Sequence, residues 1–128
     1  MQAPELDDWR AEIRAWLTEH IPTWWDDEFA ATPFEIPERC FDDSRAWQKS
    51  LFEAGYMGVT WPEAYGGRGF TPMHELVRTE ELVRAKAPPI ANQIGLKLCA
   101  PALLEYGTEE QKQRFLRKIL SAEEIWCQ

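Results

Sequence analysis

The sequence contains few of the residues that build metal sites and disulfide frameworks. Its 128 residues include two histidines and three cysteines, which are Cys40, Cys99 and Cys127. Because the cysteines are odd in number and widely spaced, they fit neither a disulfide framework nor a C-x-x-C metal motif. We therefore predict reduced thiols, no bound metal and a cytoplasmic protein.

Basic residues and long apolar runs are also scarce. Lysine and arginine number 14 against 22 aspartates and glutamates, which gives a net charge of −8. The phosphates of nucleic acids and of anionic membranes repel such a protein. No stretch approaches the roughly 20 apolar residues of a membrane span. The N-terminus also lacks the basic start and apolar run of a secretory signal. We predict no nucleic-acid partner and no membrane span.

The residues that are present indicate one folded, helical domain. Hydrophobic residues make up 45% of the chain, and its seven tryptophans would be unusual in a disordered protein. Apolar residues first recur at helical spacing between Leu6 and Leu17, in a helix that ends near His20 because Pro22 cannot continue it. A long irregular connection follows, in which we expect the pair Trp24 and Trp25 to pack over a core edge. The alternative for that pair is a partner or ligand contact.

Four further helices are predicted from caps and apolar stripes. The second starts at a cap formed by Asp42, Asp43 or Ser44, and buries Trp47, Leu51 and Ala54. The third is capped by Thr71, with Pro72 at its first position. Its inward-facing residues are Leu76, Val77, Leu82 and Val83. The fourth covers residues 90–106 and is kinked or split by Pro101. The fifth begins with a capping box of Thr108 and Gln111, and its stripe is Phe115, Leu116, Ile119 and Leu120.

Residues 125–128 look like the beginning of a strand. The predicted fold is therefore all-α, an antiparallel bundle of about five helices that ends where a β-strand begins.

The stretch of residues 51–69 connects two of these helices through glycine-rich turns. Gly55 fits a helix C-terminus, and Gly66-Gly67-Arg68-Gly69 lets the chain reverse. A phosphate loop would need a following Lys and Ser/Thr, or a preceding buried strand. Neither is present, so we interpret this run as a turn.

Titratable residues do not assemble into a catalytic group. Glu80 and Glu81 are adjacent and would point about 100° apart on a helix, so they cannot converge on one substrate bond. We interpret them as a salt bridge or a solvated face. His74 has no evident partner and is interpreted as a surface histidine.

Three motifs in order resemble acyl-CoA dehydrogenases. They are A-G-x-x-G-x-x-W-P-x-x-x-G-G-x-G from Ala54, the later Glu80-Glu81-Leu82, and the run that begins with Gly107-Thr108-Glu109. The resemblance implies that residues 1–120 are the N-terminal helical domain of such an enzyme. Residues 121–128 would then be the hinge and first strand of a β domain. Arg117 and Ala122 depart from the family, where many members have proline and glycine.

The resemblance also implies an activity. Family members use FAD to desaturate an acyl-CoA thioester, and pass the electrons to an electron-transfer acceptor. It implies substrate contacts at the far end of the acyl pocket from Ile90, Ala91, Ile94 and Leu98, although core packing explains these residues equally well. Gln128 falls on a flavin-contacting strand, or is simply exposed.

The catalytic glutamate, most flavin contacts and the thioester hydrogen bonds would lie outside these 128 residues, so no catalytic residue is predicted here. The partners implied are the remaining domains and further subunits of a homo- or hetero-oligomer. The alternative is a stand-alone helical interaction module or a partner subunit without catalysis.

Overall fold

The computed structural model describes residues 2–25 and 36–127, and within these ranges it contains five α-helices and no strand. The helices are α1 (Leu6–His20), α2 (Phe41–Glu53), α3 (Pro72–Arg84), α4 (Ala100–Tyr106) and α5 (Glu109–Leu120). Short 3₁₀ turns lie at Glu38–Cys40 and Glu63–Tyr65, and a π-helical turn covers Gly95–Cys99. The predicted all-α bundle is confirmed. No helix in the described ranges is long and apolar enough to cross a membrane.

Some sequence predictions fall outside the described residues. Gln128, the flavin-contact candidate, is one of them. The segment of residues 125–127 is described and has no regular secondary structure. The described ranges contain no strand with which it could pair, so a strand at this position stays a prediction.

The centre of the core lies between α1 and α3. Trp9, Ile13 and Leu17 of α1 are fully buried, as their spacing predicts. The Trp9 indole donates to the backbone oxygen of His74 at 3.0 Å, and its ring meets the ring of Phe70 edge-on at 5.4 Å between centroids. Trp24 packs at the edge of this core, which confirms the expected role of that tryptophan.

Helices α1 and α3 run in the same direction, so the antiparallel arrangement does not extend to this pair. Pro4 contacts His74 through a hydrogen bond of 2.8 Å, and Arg14, further along the chain, reaches Glu81. The residue numbers thus increase together along the two helices. This direction brings the arginines of α1 beside the carboxylates of α3.

The buried face of α3 differs from the prediction. His74, Val77 and Glu81 are buried, whereas Leu76 and Val83 are exposed. The prediction is right for Val77 and for Leu82, which packs against the core, and wrong for Leu76 and Val83. The N-terminal segment and α1 offer polar partners to His74 and Glu81, which therefore face inward. The residues at i, i+3 and i+7 that face α1 are therefore mostly polar.

His74 is not the surface histidine that the sequence indicated. It is buried, and its two ring nitrogens bond to the Pro4 oxygen at 2.8 Å and to Thr71 Oγ1 at 2.7 Å. Thr71 does occupy the N-cap position of α3, with Pro72 next. Its hydroxyl bonds to the His74 ring and makes no capping bond to the backbone. The histidine thus fixes the start of α3 against the N-terminal segment.

The predicted side-chain cap of α2 is also wrong. The helix begins at Phe41, directly after a 3₁₀ turn, and no side chain caps it. Ser44 is buried instead and donates to the oxygen of Pro89 at 2.9 Å. Asp42 and Asp43 lie in the first turn of the helix, where carboxylates interact favourably with its N-terminus.

Helix α5 closes the bundle as predicted. Thr108 and Gln111 form the capping box. The residues Leu116, Ile119 and Leu120 are fully buried, partly against Ala100 of α4. The predicted start of the helix, its cap and the three most buried positions of its apolar stripe are therefore all present in α5.

Candidate functional site

The predicted acyl-pocket residues lie in and before a helix that contains a π turn. Regular helix begins at Gln93, not at Ile90, and continues through the π turn Gly95–Cys99 into α4. Pro101 lacks an N–H, and its ring clashes with the carbonyl of the residue four positions earlier in a regular helix. The wider π turn opens the hydrogen-bond ladder just ahead of this proline. The predicted kink is thus present as a π turn.

The four candidate residues separate into two pairs. Ile94 and Leu98 are 40% and 50% exposed. Ile90 packs against the main core, and Ala91 is half-buried. Core packing therefore accounts for Ile90 but not for Ile94 or Leu98. That the four line an acyl pocket stays a prediction.

Glu81 is the most strongly paired carboxylate in the described ranges. Its side chain is 1% exposed and accepts four hydrogen bonds from three arginines. Arg14 donates twice, at 2.8 and 2.9 Å, Arg10 at 2.9 Å and Arg84 at 3.0 Å. The neighbouring Glu80 accepts from Arg10 at 2.7 Å. The salt-bridge interpretation is confirmed, and neither carboxylate is available as a catalytic base.

The pKa of Glu81 reflects this pairing. Hydrogen bonds from Arg14, together with those from Arg10 and Arg84, lower the pKa from 4.5 to about 2, although burial opposes this by raising it. A carboxyl with a lowered pKa in the folded protein stabilises the fold above its unfolded pKa and loses that effect as the pH falls towards the folded value.

We therefore expect the difference in free energy of unfolding between the wild type and Glu81→Gln to depend on pH. Between about pH 5 and about pH 2, the unfolded wild type binds more protons at this position than the folded one. The gap in free energy of unfolding between the two proteins should narrow by about 2 kcal/mol over this window, after allowance for the solvent exposure of the arginines. Urea titrations at a series of pH values measure this gap. A gap that stays constant with pH would contradict the assigned role of Glu81.

The glycine-rich turn has no free donors for a phosphate. The amides of Gly66, Gly67, Arg68 and Gly69 all donate to backbone carbonyls within residues 58–63. A Cβ on Gly67 would lie 2.6 Å from the carbonyl carbon of Trp61, so the glycine is needed for close packing. The turn interpretation is confirmed, and the phosphate-loop alternative is excluded.

Two buried amide side chains were missed in the sequence. Gln48 and Asn92 are both fully buried and fully hydrogen-bonded. Gln48 follows Trp47 and precedes Leu51 by three, so its position on the apolar face of α2 was a usable signal. Asn92 had no such signal, because its partners come from the other end of the chain.

The segment after α5 is bonded to α2 through Ala122, a position at which the sequence departs from the family. Ala122 has a φ of +60°, a conformation that favours glycine. Its backbone oxygen accepts from Arg45 of α2 at 3.1 Å. The segment is thus fixed to the helical domain despite the missing glycine.

Comparison with known proteins identifies the family. A family model described as the acyl-CoA dehydrogenase N-terminal domain matches residues 3–123. The chain is 41% identical to acyl-CoA dehydrogenase IpdE1 of Mycolicibacterium smegmatis, with 97% of this chain and 32% of the relative covered. The chain thus spans about a third of the length of this relative.

Solved structures agree with this result. The Tcur3481-Tcur3483 steroid ACAD superposes with a TM-score of 0.70 at 32% identity, over 98% of this chain and 32% of that chain. The ChsE4-ChsE5 complex from Mycobacterium tuberculosis gives a TM-score of 0.71 at 24% identity, over 96% and 29%, and supports the fold alone. This chain therefore belongs to the acyl-CoA dehydrogenase family and corresponds to its N-terminal domain.

Proposed function

We propose that this chain is the N-terminal part of an FAD-dependent acyl-CoA dehydrogenase. Such an enzyme removes hydrogen from the α and β carbons of an acyl-CoA thioester. In this proposal the chain forms the far wall of the acyl pocket through Ile90, Ala91, Ile94 and Leu98, supplies no catalytic group and is inactive alone. The family membership supports the reaction class.

The observation that carries the proposed wall is the exposed apolar pair Ile94 and Leu98. The same helical segment buries Gly95 and Ala100, so one side of it is anchored in the domain while the other presents apolar groups outward. A pocket for a hydrocarbon chain requires this arrangement, because the acyl chain gains free energy by leaving water for an apolar surface. Water is excluded from the far end of the chain by the same contact.

FAD would be held mainly by other parts of the enzyme. When bound, it accepts the hydride from the β carbon. The Gly66–Gly69 turn does not fit the flavin pyrophosphate, since its amides are already used internally. Gln128 remains the proposed flavin contact of this chain. The electron-transfer acceptor and a cytoplasmic location belong to the same proposal.

A partner-subunit role without catalysis is the second candidate. Two of the similar solved structures are described by two component names each, ChsE4-ChsE5 and Tcur3481-Tcur3483. This supports a hetero-oligomeric partner in addition to the remaining domains of the enzyme. Because the Tcur3481-Tcur3483 protein is a steroid ACAD, a bulky, steroid-derived acyl group is also favoured as a substrate to test.

A chimera tests the wall. In it, this chain replaces the corresponding N-terminal third of the Mycolicibacterium smegmatis relative. We expect Leu98→Trp to lower kcat/KM for hexadecanoyl-CoA about tenfold more than for butanoyl-CoA, because overfilling an apolar site costs about 1–3 kcal/mol only when the ligand reaches it. A panel with butanoyl-, octanoyl- and hexadecanoyl-CoA and a steroid-derived thioester measures the selectivity.

Val83→Trp is the matched control, since Val83 is 73% exposed on α3 and outside the proposed wall. It should leave the ranking of the panel unchanged. Equal losses for all thioesters in Leu98→Trp would show that this residue does not line the acyl pocket.

A further inference from the structure

The carboxamide of Asn92 connects the start of the proposed wall with the segment that follows α5. Asn92 is 0% exposed. Its Nδ2 donates to the backbone oxygens of Ile119 at 3.0 Å and of Glu124 at 2.9 Å, and its Oδ1 accepts from the backbone amide of Trp126 at 3.0 Å. Both donors and the acceptor of one side chain are therefore used across a sequence separation of about thirty residues.

Gln48 of α2 supports the same junction. Its Nε2 donates to the backbone oxygens of Ile119 and Leu120 at 3.0 and 2.9 Å, and its Oε1 accepts from the Asn92 amide at 3.0 Å. The end of α5 thus has its free carbonyls satisfied by two buried amides. Because an unpaired buried polar group is costly, the network has one well-defined arrangement.

Gly95 makes room for the carboxamide. A Cβ at this position would lie 2.7 Å from Cγ and 2.8 Å from Nδ2 of Asn92. The backbone oxygen of Asn92 also accepts from the amide of Leu96 at 3.0 Å, which joins the main chain of Asn92 to the helical segment that carries Ile94 and Leu98. Ile94 directly precedes the π turn Gly95–Cys99, and Leu98 lies within it. The turn that carries them therefore packs, at Gly95, directly on the Asn92 carboxamide.

We propose that Asn92 is a positioning residue that sets the distance between the apolar pair Ile94 and Leu98 and the segment around Trp126. This inference rests on the proposed function, in which that segment leads towards the flavin-binding part of the enzyme. When an acyl chain contacts the wall, this distance determines where its reacting carbons lie. A displacement of about 1 Å at a reacting centre can lower the rate about a hundredfold.

The first test uses the chain as it is. The amide of Trp126 should exchange its hydrogen slowly in the wild type, because it is bonded to a buried oxygen. Asn92→Asp has the same shape and keeps that oxygen, but loses both donors and places a carboxylate oxygen against two carbonyls. We expect exchange at Trp126 to be accelerated about tenfold or more, as follows from the loss of one or two net hydrogen bonds.

Val77→Ala is the control for general destabilisation. Val77 is buried in α3 and belongs to the main core cluster, which does not include Trp126. Exchange at Trp126 should be compared with exchange at amides in the middle of α1, so that only a selective acceleration counts. Gly95→Ala provides a second variant in case Asn92→Asp does not fold, and should release Trp126 in the same selective way. Free exchange at Trp126 in the wild type, or equal acceleration in Val77→Ala, would overturn the proposal.

The second test uses the chimera. Asn92→Asp should change the ratio of kcat/KM for hexadecanoyl-CoA to that for butanoyl-CoA about tenfold, since only the longer chain reaches the wall. Val77→Ala should leave this ratio unchanged. If the chimera is active and Asn92→Asp leaves the ratio of kcat/KM values unchanged, only the positioning role of Asn92 is overturned. A folded but inactive wild-type chimera would contradict the proposed function, and the exchange experiment would still decide on Asn92.

Discussion

Replacing Glu81 with glutamine is expected to lower the free energy of unfolding by about 3 kcal/mol. Removing one partner of a buried ion pair generally costs about 3–5 kcal/mol. Four charge-assisted hydrogen bonds end on this carboxylate, and they join α1 to α3. A glutamine keeps the shape but directs N–H groups towards arginines. The arginines are between 35% and 52% exposed and can turn to water, which keeps the loss near the lower end of that range. Urea unfolding at neutral pH measures it.

Glu80→Gln is the matched control one position away. Glu80 is about half exposed and accepts one bond, from Arg10. A surface pair of this kind contributes less than about 1 kcal/mol. If the two variants lose equal stability, the buried position of Glu81 does not explain its effect, and the account of how α1 and α3 are joined is wrong.

The parts of the fold that were predictable are those whose signals are local. The spacing of Trp9, Ile13 and Leu17 defined α1, and Thr108 with Gln111 defined the start of α5. Both signals lie within a few residues of the structure that they predict. Apolar periodicity and capping residues are therefore sufficient where the core is apolar.

The buried face of α3 could not be read in the same way. His74 and Glu81 have the spacing of a buried face but the chemistry of a surface. Their partners, among them Arg10 and Pro4, are about seventy residues away in the sequence. Only the packing of α1 on α3 decides that polar groups face inward here.

The candidate site was predictable only in part. Pro101 indicated a disturbance in the wall helix, and the structure places a π turn directly before it. The exposure of Ile94 and Leu98 needed the structure, because their spacing fits a core face as well as a pocket wall. Asn92 was missed because it lies inside the predicted helix of residues 90–106, and its side-chain partners at Ile119, Glu124 and Trp126 are remote in the sequence.

The second large effect that we expect is the absence of activity from the chain alone. Desaturation requires a base at the α carbon, a hydride acceptor at the β carbon and donors at the thioester oxygen, held in near contact. Within residues 2–25 and 36–127, Glu81 and Glu80 are engaged by arginines, and the amides of the glycine-rich turn are used internally. The net charge of −8 also disfavours the flavin pyrophosphate. We therefore expect these groups to come from the parts of the proposed enzyme outside this chain.

Flavin content and turnover, measured side by side for the chain and for the chimera, test this division most directly. Each protein is purified in the presence of FAD, its visible absorbance is recorded, and the reduction of an electron-acceptor dye is followed with the acyl-CoA panel. We expect the 128-residue chain to be colourless and inactive, and the chimera to be yellow and active. Stoichiometric FAD or turnover in the chain alone, or a folded chimera that binds FAD but desaturates none of the thioesters, would contradict the account.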